Sequence, residues 1–143
     1  MRADPRRATW CGPERDTPPR VIARNRVSDV RKREWLRAAR WRRKVESVLA
    51  QTGLTFTQWL VLEAIRELYE ETGEDPIQNE IAKRVELDGA SVSRLIQRLG
   101  RDGLVHRGVD RHFAAWSVGL DKRAEGLLRD YRQRIDDLSL AAF

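Results

Sequence analysis

Arginine, glutamine and serine side chains share one side of a short amphipathic segment, residues 88–102. On a helix with 100° of rotation per residue, this polar side lies opposite the apolar side. Arg94 and Arg98 can each donate two hydrogen bonds to guanine O6 and N7, and Gln97 can pair with adenine N6 and N7. The segment is therefore predicted to read base pairs in the major groove of duplex DNA. Its predicted contact residues are Gly89, Ala90, Ser91, Ser93, Arg94, Gln97, Arg98 and Arg101.

Three arginines are predicted to hold DNA without reading its sequence. Arg101 ends the polar row, and Arg107 and Arg111 follow it along the chain. Contacts to phosphates or to the minor groove set the register of a protein on the duplex, whereas the base edges carry the sequence information. For Arg101 and Arg107 the alternative is an ordinary salt bridge, for example with Asp102.

Two short helices must position this polar row. The first is predicted from about Gln78 to Val85, and the second from its N-cap Asp88 to about Asp102, where Gly103 stops it. The polar turn between them is short, as in a helix-turn-helix whose second helix lies in the major groove. The apolar side of the second helix is predicted to pack inward through Val92, Leu95, Ile96 and Leu99.

A β-hairpin is predicted directly after the second helix. Its strands are expected at 104–107 and 114–120. In the second strand, Trp116, Val118 and Leu120 alternate toward one face, which is typical of a half-buried strand. A hairpin in this position is the wing of a winged helix-turn-helix.

Two longer helices precede the helix-turn-helix. The first is predicted at about 28–51 and is closed by Gly53. Thr55 and Gln58 have the spacing of a capping box and begin the second, which ends near Gly73. Apolar residues surround much of this second helix, which therefore should form the centre of the core.

Two apolar seams are predicted to hold a homodimer. One follows the first helix, and the other follows a last helix at about 121–143 with heptad spacing. One helix-turn-helix makes few contacts, whereas a two-fold dimer presents two recognition helices about 34 Å apart to one face of DNA. The alternative for each seam is packing within one subunit. The predicted dimerisation residues are Ala38, Val45, Val48, Leu128, Tyr131, Ile135 and Leu138.

Positive charge is concentrated in the N-terminal part of the chain. The formal net charge is +6; residues 1–52 carry 15 Lys/Arg against 6 Asp/Glu, and residues 53–143 carry 13 against 16. Residues 1–25 hold four of the five prolines and show no sustained apolar period. They are predicted to form a basic flexible arm before a winged helix-turn-helix domain at 26–143.

The same sequence argues against several classes of protein. No apolar run is long enough to span a membrane and no signal core begins the chain, so a cytoplasmic location is expected. Cys11, the single cysteine, cannot form an internal disulfide, and with two histidines it cannot build a structural zinc site. Because no phosphate loop, nucleophile elbow or paired carboxylates are found, neither an enzyme nor a cofactor is expected.

A ligand pocket is predicted from aromatic residues of the first two helices. Trp35, Trp41 and Trp59 could line it, and Arg37 or Arg40 could neutralise a carboxylate. The alternative is that these aromatic residues are plain core.

The order and spacing of these elements resemble the MarR family of winged helix-turn-helix transcriptional regulators. The resemblance covers about residues 30–140. It is strongest in LTFTQWLVLEAI at 54–65, QNEIAKRVELDGASVSRLIQRLGRDGLVHR at 78–107 and SVGLDKRAEGLL at 117–128. It implies homodimers, held by the first and last helices, that bind palindromic operators near promoters. It also implies that small aromatic or carboxylate ligands release the DNA.

One departure from the family concerns the wing. Family wings usually place an Asp-x-Arg pattern near where this chain has His112, Phe113 and Ala114, and the nearest match is the earlier Asp110-Arg111. The chain is predicted to be a sequence-specific DNA-binding regulator, a dimeric repressor released by a small-molecule ligand. The alternative is a winged-helix protein-interaction or architectural DNA-binding module without a ligand response.

Overall fold

The computed structural model describes the backbone of residues 19–108 and 115–142, and the side chains of residues 26–108 and 115–138. The predictions for Cys11, Arg111 and His112 lie outside the described residues. The predicted fold class, mainly helical with a two-stranded antiparallel hairpin, is confirmed. The elements are α1 (Pro19–Leu49), a 3₁₀ turn (Ala50–Thr52), α2 (Phe56–Thr72), α3 (Gln78–Val85), α4 (Gly89–Arg101), β1 (Val105–Gly108), β2 (Ser117–Leu120) and α5 (Lys122–Ala142).

The chain divides into two units, of which the first ends at Arg40. In this N-terminal unit, α1 begins at Pro19, earlier than the predicted start near residue 28, so residues 19–25 of the predicted arm are helical. Proline suits the first helical position because its φ is already helical and its missing N–H would have no partner there. Large apolar side chains of this unit are exposed, namely Val27, Val30, Trp35 and Leu36.

The ends of α2 follow from local sequence. The Gln58 amide donates to Thr55 Oγ1 at 3.2 Å, and the Thr55 amide donates to Gln58 Oε1 at 3.0 Å, which completes the predicted capping box. Gly53 and Gly73 have φ of 76° and 73°, the left-handed conformation that closes a helix and favours glycine. The predicted starts and stops around α2 are therefore confirmed.

The core of the second unit, Trp41–Phe143, is built around α2. Val61, Leu62 and Ile65 are fully buried, and α2 packs against α3, α4, β2 and α5. Central burial of α2 agrees with the apolar residues that surround it. Both helices of the helix-turn-helix therefore pack directly against α2.

Three of the predicted dimerisation residues belong to this core. Val45, Leu128 and Ile135 are at most 2% exposed within the single chain. The seam pattern identified buried positions, and the alternative of packing within one subunit accounts for these three. The other predicted positions differ: Val48, Tyr131 and Leu138 are half-buried, and Ala38 is exposed.

The wing is anchored to the start of α3. β1 and β2 pair from Val105 with Leu120 to Gly108 with Ser117. β2 also pairs with the segment before α3, because the Val118 amide donates to the Pro76 carbonyl at 2.8 Å. β1 lies one residue later than predicted, and β2 is shorter than the predicted strand at 114–120. The expected inward face fails at Trp116, which is 63% exposed.

Gly119 of β2 is a position where a side chain has no room. A Cβ there would lie 2.6 Å from His106 Nε2 and from Asp75 Oδ2, and the His106 ring is held by Asp121 at 2.6 Å. Gly119→Ala is therefore expected to lower the free energy of unfolding by about 1–3 kcal/mol, as overpacking does. Urea denaturation followed by circular dichroism measures the change.

The matched control is the same substitution at Gly126, inside α5. An added Cβ at Gly126 would meet only Arg129 Nη2, at 3.8 Å. Because alanine favours a helix by about 0.5–1 kcal/mol over glycine, Gly126→Ala should stabilise the protein. Equal effects of the two substitutions would contradict the close approach at Gly119.

Candidate nucleic-acid interface

Helix α4 presents the predicted polar row on its outer side. Val92, Ile96 and Leu99 are buried and hold the helix against the core. The predicted contact residues on the other sides are accessible: Gly89, Ala90, Arg94, Gln97, Arg98 and Arg101 are exposed, and Ser91 and Ser93 are half-buried. The sequence pattern therefore predicted which side of α4 faces away from the core.

Asp88 fixes the start of α4. Its carboxylate accepts a hydrogen bond from the Ser91 amide at 3.3 Å. Hydrogen bonding from Ser91 lowers the pKa of Asp88 below its usual value of 3.8, and the charge of Arg94 acts in the same direction. Since the folded-state pKa is depressed, the cap stabilises the fold above pH 3.8 and is lost as the pH falls further. At neutral pH the helix start is thus held by an ionised cap.

A salt bridge forms near the end of α4. Arg98 Nε lies 3.4 Å from Asp102 Oδ2, whereas the alternative stated for the sequence concerned Arg101 and Arg107. The i, i+4 spacing of a helix brings Arg98 over Asp102. An exposed pair of this kind contributes little, so Arg98 can exchange Asp102 for another anion.

Two shallow grooves lie beside α4, and no carboxylate among the described residues lines either of them. The first, about 480 Å³, lies between α4 and β1, with Gln97, Arg101 and Arg107 on its walls. The second, about 270 Å³, lies between the start of α3 and the wing and shares Arg107 with the first. Its lining residues are Ile77, Gln78, Asn79, Ile96, Arg107, Ala115, Trp116 and Val118.

The cavities around α2 differ in carrying charges of both signs. One of about 380 Å³ and another of about 550 Å³ are each lined by at least three carboxylates and three arginines. Arg84 in the first is occupied, because it bonds Glu67 at 3.3 Å and Glu71 at 2.6 Å, and its hydrogen bond lowers the pKa of Glu71. An anionic partner would therefore meet arginines without carboxylates beside α4, and arginines accompanied by carboxylates beside α2.

Two residues of this interface were not predicted from the sequence. The sequence pattern predicts that Trp116 lies on the inward face of a strand, and it predicts Asn79 only as part of a short helix. The alternating pattern of the strand does not indicate that β2 begins only at Ser117, so that Trp116 lies just before it and is exposed. For Asn79 the signal would have been its place in the first turn of a helix.

The predicted ligand residues fall into two groups. Trp41 and Trp59 pack together with Phe56, with ring centroids 5.4–6.3 Å apart. Trp35, Arg37 and Arg40 are exposed residues of the N-terminal unit. Trp59 is 9% exposed, its Nε1 has no hydrogen-bond partner among the described residues, and it lines the cavity of about 380 Å³. The ligand pocket stays a prediction.

Metal sites and membrane spans are two other features that the described ranges could hold. No group of three or more His, Cys, Asp or Glu residues there is arranged to hold a metal ion. No helix there is long and apolar enough to cross a membrane.

Comparisons with known proteins agree with the geometry. Residues 52–112 match the family model described as MarR family. Two structures of MepR from Staphylococcus aureus are 26% identical to the chain. In the first, MepR is described as a transcription regulator of the multidrug efflux pump MepA (TM-score 0.62, covering 73% of this chain and 74% of MepR). The other is a MepR–DNA complex (TM-score 0.65, 73% of each chain).

A third structure shows the fold alone. It is a MarR-family transcriptional regulator from Rhodococcus sp. RHA1, 22% identical, with a TM-score of 0.68 over 79% of this chain and 77% of that one. A comparison with curated protein sequences gave no significant match.

Proposed function

Because residues 52–112 match the MarR family model and the fold is a winged helix-turn-helix, we propose that this chain is a MarR-family protein and a sequence-specific DNA-binding transcriptional regulator. The observation that carries the proposal is the exposed row on α4, which lies beside grooves whose described linings hold Arg101 and Arg107 and no carboxylate. The similarity to MepR, which was solved bound to DNA, supports the same partner for this chain.

Some residues of the interface would contact base edges, and others would bind phosphates. Arg94 and Gln97 project from the outer side of α4 and would donate to guanine and adenine edges, each good pair contributing about 1–3 kcal/mol of discrimination. Arg98 would join them by releasing Asp102. Arg101 and Arg107 would bond phosphates and set the register, because contacts to phosphates carry no sequence information.

We propose that the regulator acts as a homodimer on a palindromic operator. Two recognition helices related by a two-fold axis would read two half-sites, which matches the symmetry of the partner to that of the protein. The exposed apolar residues of α1 support this proposal, since a monomer in water would leave Val27, Val30 and Trp35 uncovered. Because Val45, Leu128 and Ile135 are already buried, the dimer surface would draw on the half-buried and exposed positions instead.

Repression released by a small aromatic or carboxylate effector is the further part of the proposal. The buried indole N–H of Trp59 lacks an acceptor among the described residues and lies in the wall of a cavity that Arg84 also lines. A carboxylate that competes for Arg84 would weaken its bonds to Glu67 and Glu71, which tie α3 to α2. Movement of α3 would carry α4 with it, because the Gln78 side chain donates to the Gly89 carbonyl at 3.1 Å.

Selection of bound sequences from a random duplex pool tests the proposed function. The full chain is expected to enrich one inverted repeat whose half-site centres are separated by about one helical turn, 10–10.5 base pairs. A binding titration with the enriched duplex and with a shuffled duplex then gives the specificity ratio. Binding without any enriched sequence would instead support the architectural module and overturn the regulator.

A further inference from the structure

We propose that Trp116 is a further DNA-contacting residue, which acts with Arg107 and Asn79 on the sugar–phosphate backbone outside the reach of α4. The indole face would pack on a deoxyribose, and its N–H would donate to a phosphate oxygen. This inference rests on the proposed function, because it adds a contact to the same protein–DNA complex.

Trp116 is a large aromatic residue that is exposed directly before a paired strand. Trp116 is 63% exposed, whereas Ser117 and Val118, which follow it, are 5% and 2% exposed. The residue that follows it is held by main-chain pairing on two sides, since Ser117 pairs with Gly108 and also forms a bridge with Ile77. A large aromatic ring on a fixed backbone loses little conformational entropy on binding, and it combines apolar area with a hydrogen-bond donor.

The groove around the Trp116 ring carries positive charge and hydrogen-bond donors. The groove beside Trp116 contains Arg107 and the amide side chains of Gln78 and Asn79, with no Asp or Glu among its described lining residues. Gln78 is occupied by the Gly89 carbonyl, and Asn79 is exposed in the first turn of α3. N–H donors near a helix start are a frequent source of contacts to phosphates. A cationic, donor-rich groove with one aromatic wall favours a nucleic-acid backbone over an apolar protein surface.

The groove beside Trp116 is continuous with the groove beside α4. Arg107 and Ile96 line both this groove and the one that holds Gln97 and Arg101. A DNA strand whose phosphates contact Arg101 and then Arg107 would therefore reach Trp116 next. The contact lies at the base of the wing, within the described residues.

Two substitutions at residue 116 of the full chain test the inference, using the enriched duplex and a shuffled duplex. Trp116→Ala is expected to weaken binding to both about tenfold, because a backbone contact is insensitive to sequence. Trp116→Phe keeps the apolar face and should retain at least a third of the affinity. Trp116→Ala should leave the salt dependence unchanged, whereas Arg107→Gln should reduce its slope by about one. Urea denaturation checks that the variants are folded.

Tryptophan fluorescence gives an independent readout. Added duplex should quench the wild-type emission more than that of Trp116→Phe, since the residue lost is the one in contact. Failure of the wild-type chain to bind any duplex would refute the proposed function itself. Wild-type binding with unchanged affinity and equal quenching in the variants would overturn the Trp116 contact alone. A weaker dimer with unchanged affinity per dimer would also overturn it, in favour of a protein contact.

Discussion

Replacing Arg94 by alanine is expected to lower the affinity for the operator by roughly 10- to 100-fold while leaving binding to unrelated DNA within about threefold. Arg94 is exposed on the outer side of α4, near the middle of the row, and its charge acts on the capping carboxylate of Asp88. The substitution removes a bidentate contact to guanine that forms on the operator and does not form on unrelated DNA. Titrations against the enriched and shuffled duplexes at one salt concentration measure both affinities.

The controls for Arg94 separate charge from geometry. Arg94→Lys keeps the charge but has no planar fork, so it should bind unrelated DNA normally and still discriminate poorly. Arg129→Ala removes one charge from a highly exposed site on α5 and should change neither affinity appreciably. Unaltered discrimination in Arg94→Ala would remove Arg94 from the residues that read sequence.

Leu128→Ala is expected to lower the free energy of unfolding by about 2–5 kcal/mol, the range for removing a fully buried leucine. Leu128 lies on α5, is 2% exposed and belongs to the core around α2. The loss should appear in urea denaturation at any protein concentration, because the contacts lie within one chain.

Leu127→Ala is the matched control for this core position. Leu127 is the preceding residue of α5 and is only half-buried, so the same substitution should cost clearly less. Sedimentation of the two variants under native conditions reports on assembly. A Leu128→Ala protein with normal unfolding but a larger monomer fraction would return Leu128 to the dimer seam.

Local rules explain the parts of the fold that the sequence predicted well. The bounds of α3, Gln78–Val85, agree with the prediction, and the capping box at Thr55 and Gln58 forms as expected. Such features depend on residues three or four positions apart, which interact within a single helical turn. The outer row of α4 was predictable for the same reason, since one helical period separates buried from exposed positions.

Long-range packing explains the differences. A heptad pattern shows that a helix side is apolar, but the same pattern serves a partner subunit and the chain's own core equally well. Val45 and Ile135 satisfied the pattern and are buried within one chain. The salt bridge of Arg98 likewise depended on side-chain directions at the end of α4 that composition does not contain.

The sequence by itself determined that a short helix with a polar outer side follows a turn and precedes a hairpin, because periodicity and caps are local properties. Only the tertiary structure decided that Trp116, just before β2, is exposed. It also decided that Arg107 lines two grooves whose described lining residues include no carboxylate. The reason is that exposure and charge environment arise where segments distant in the chain meet, here the start of α3, the side of α4 and the base of the wing.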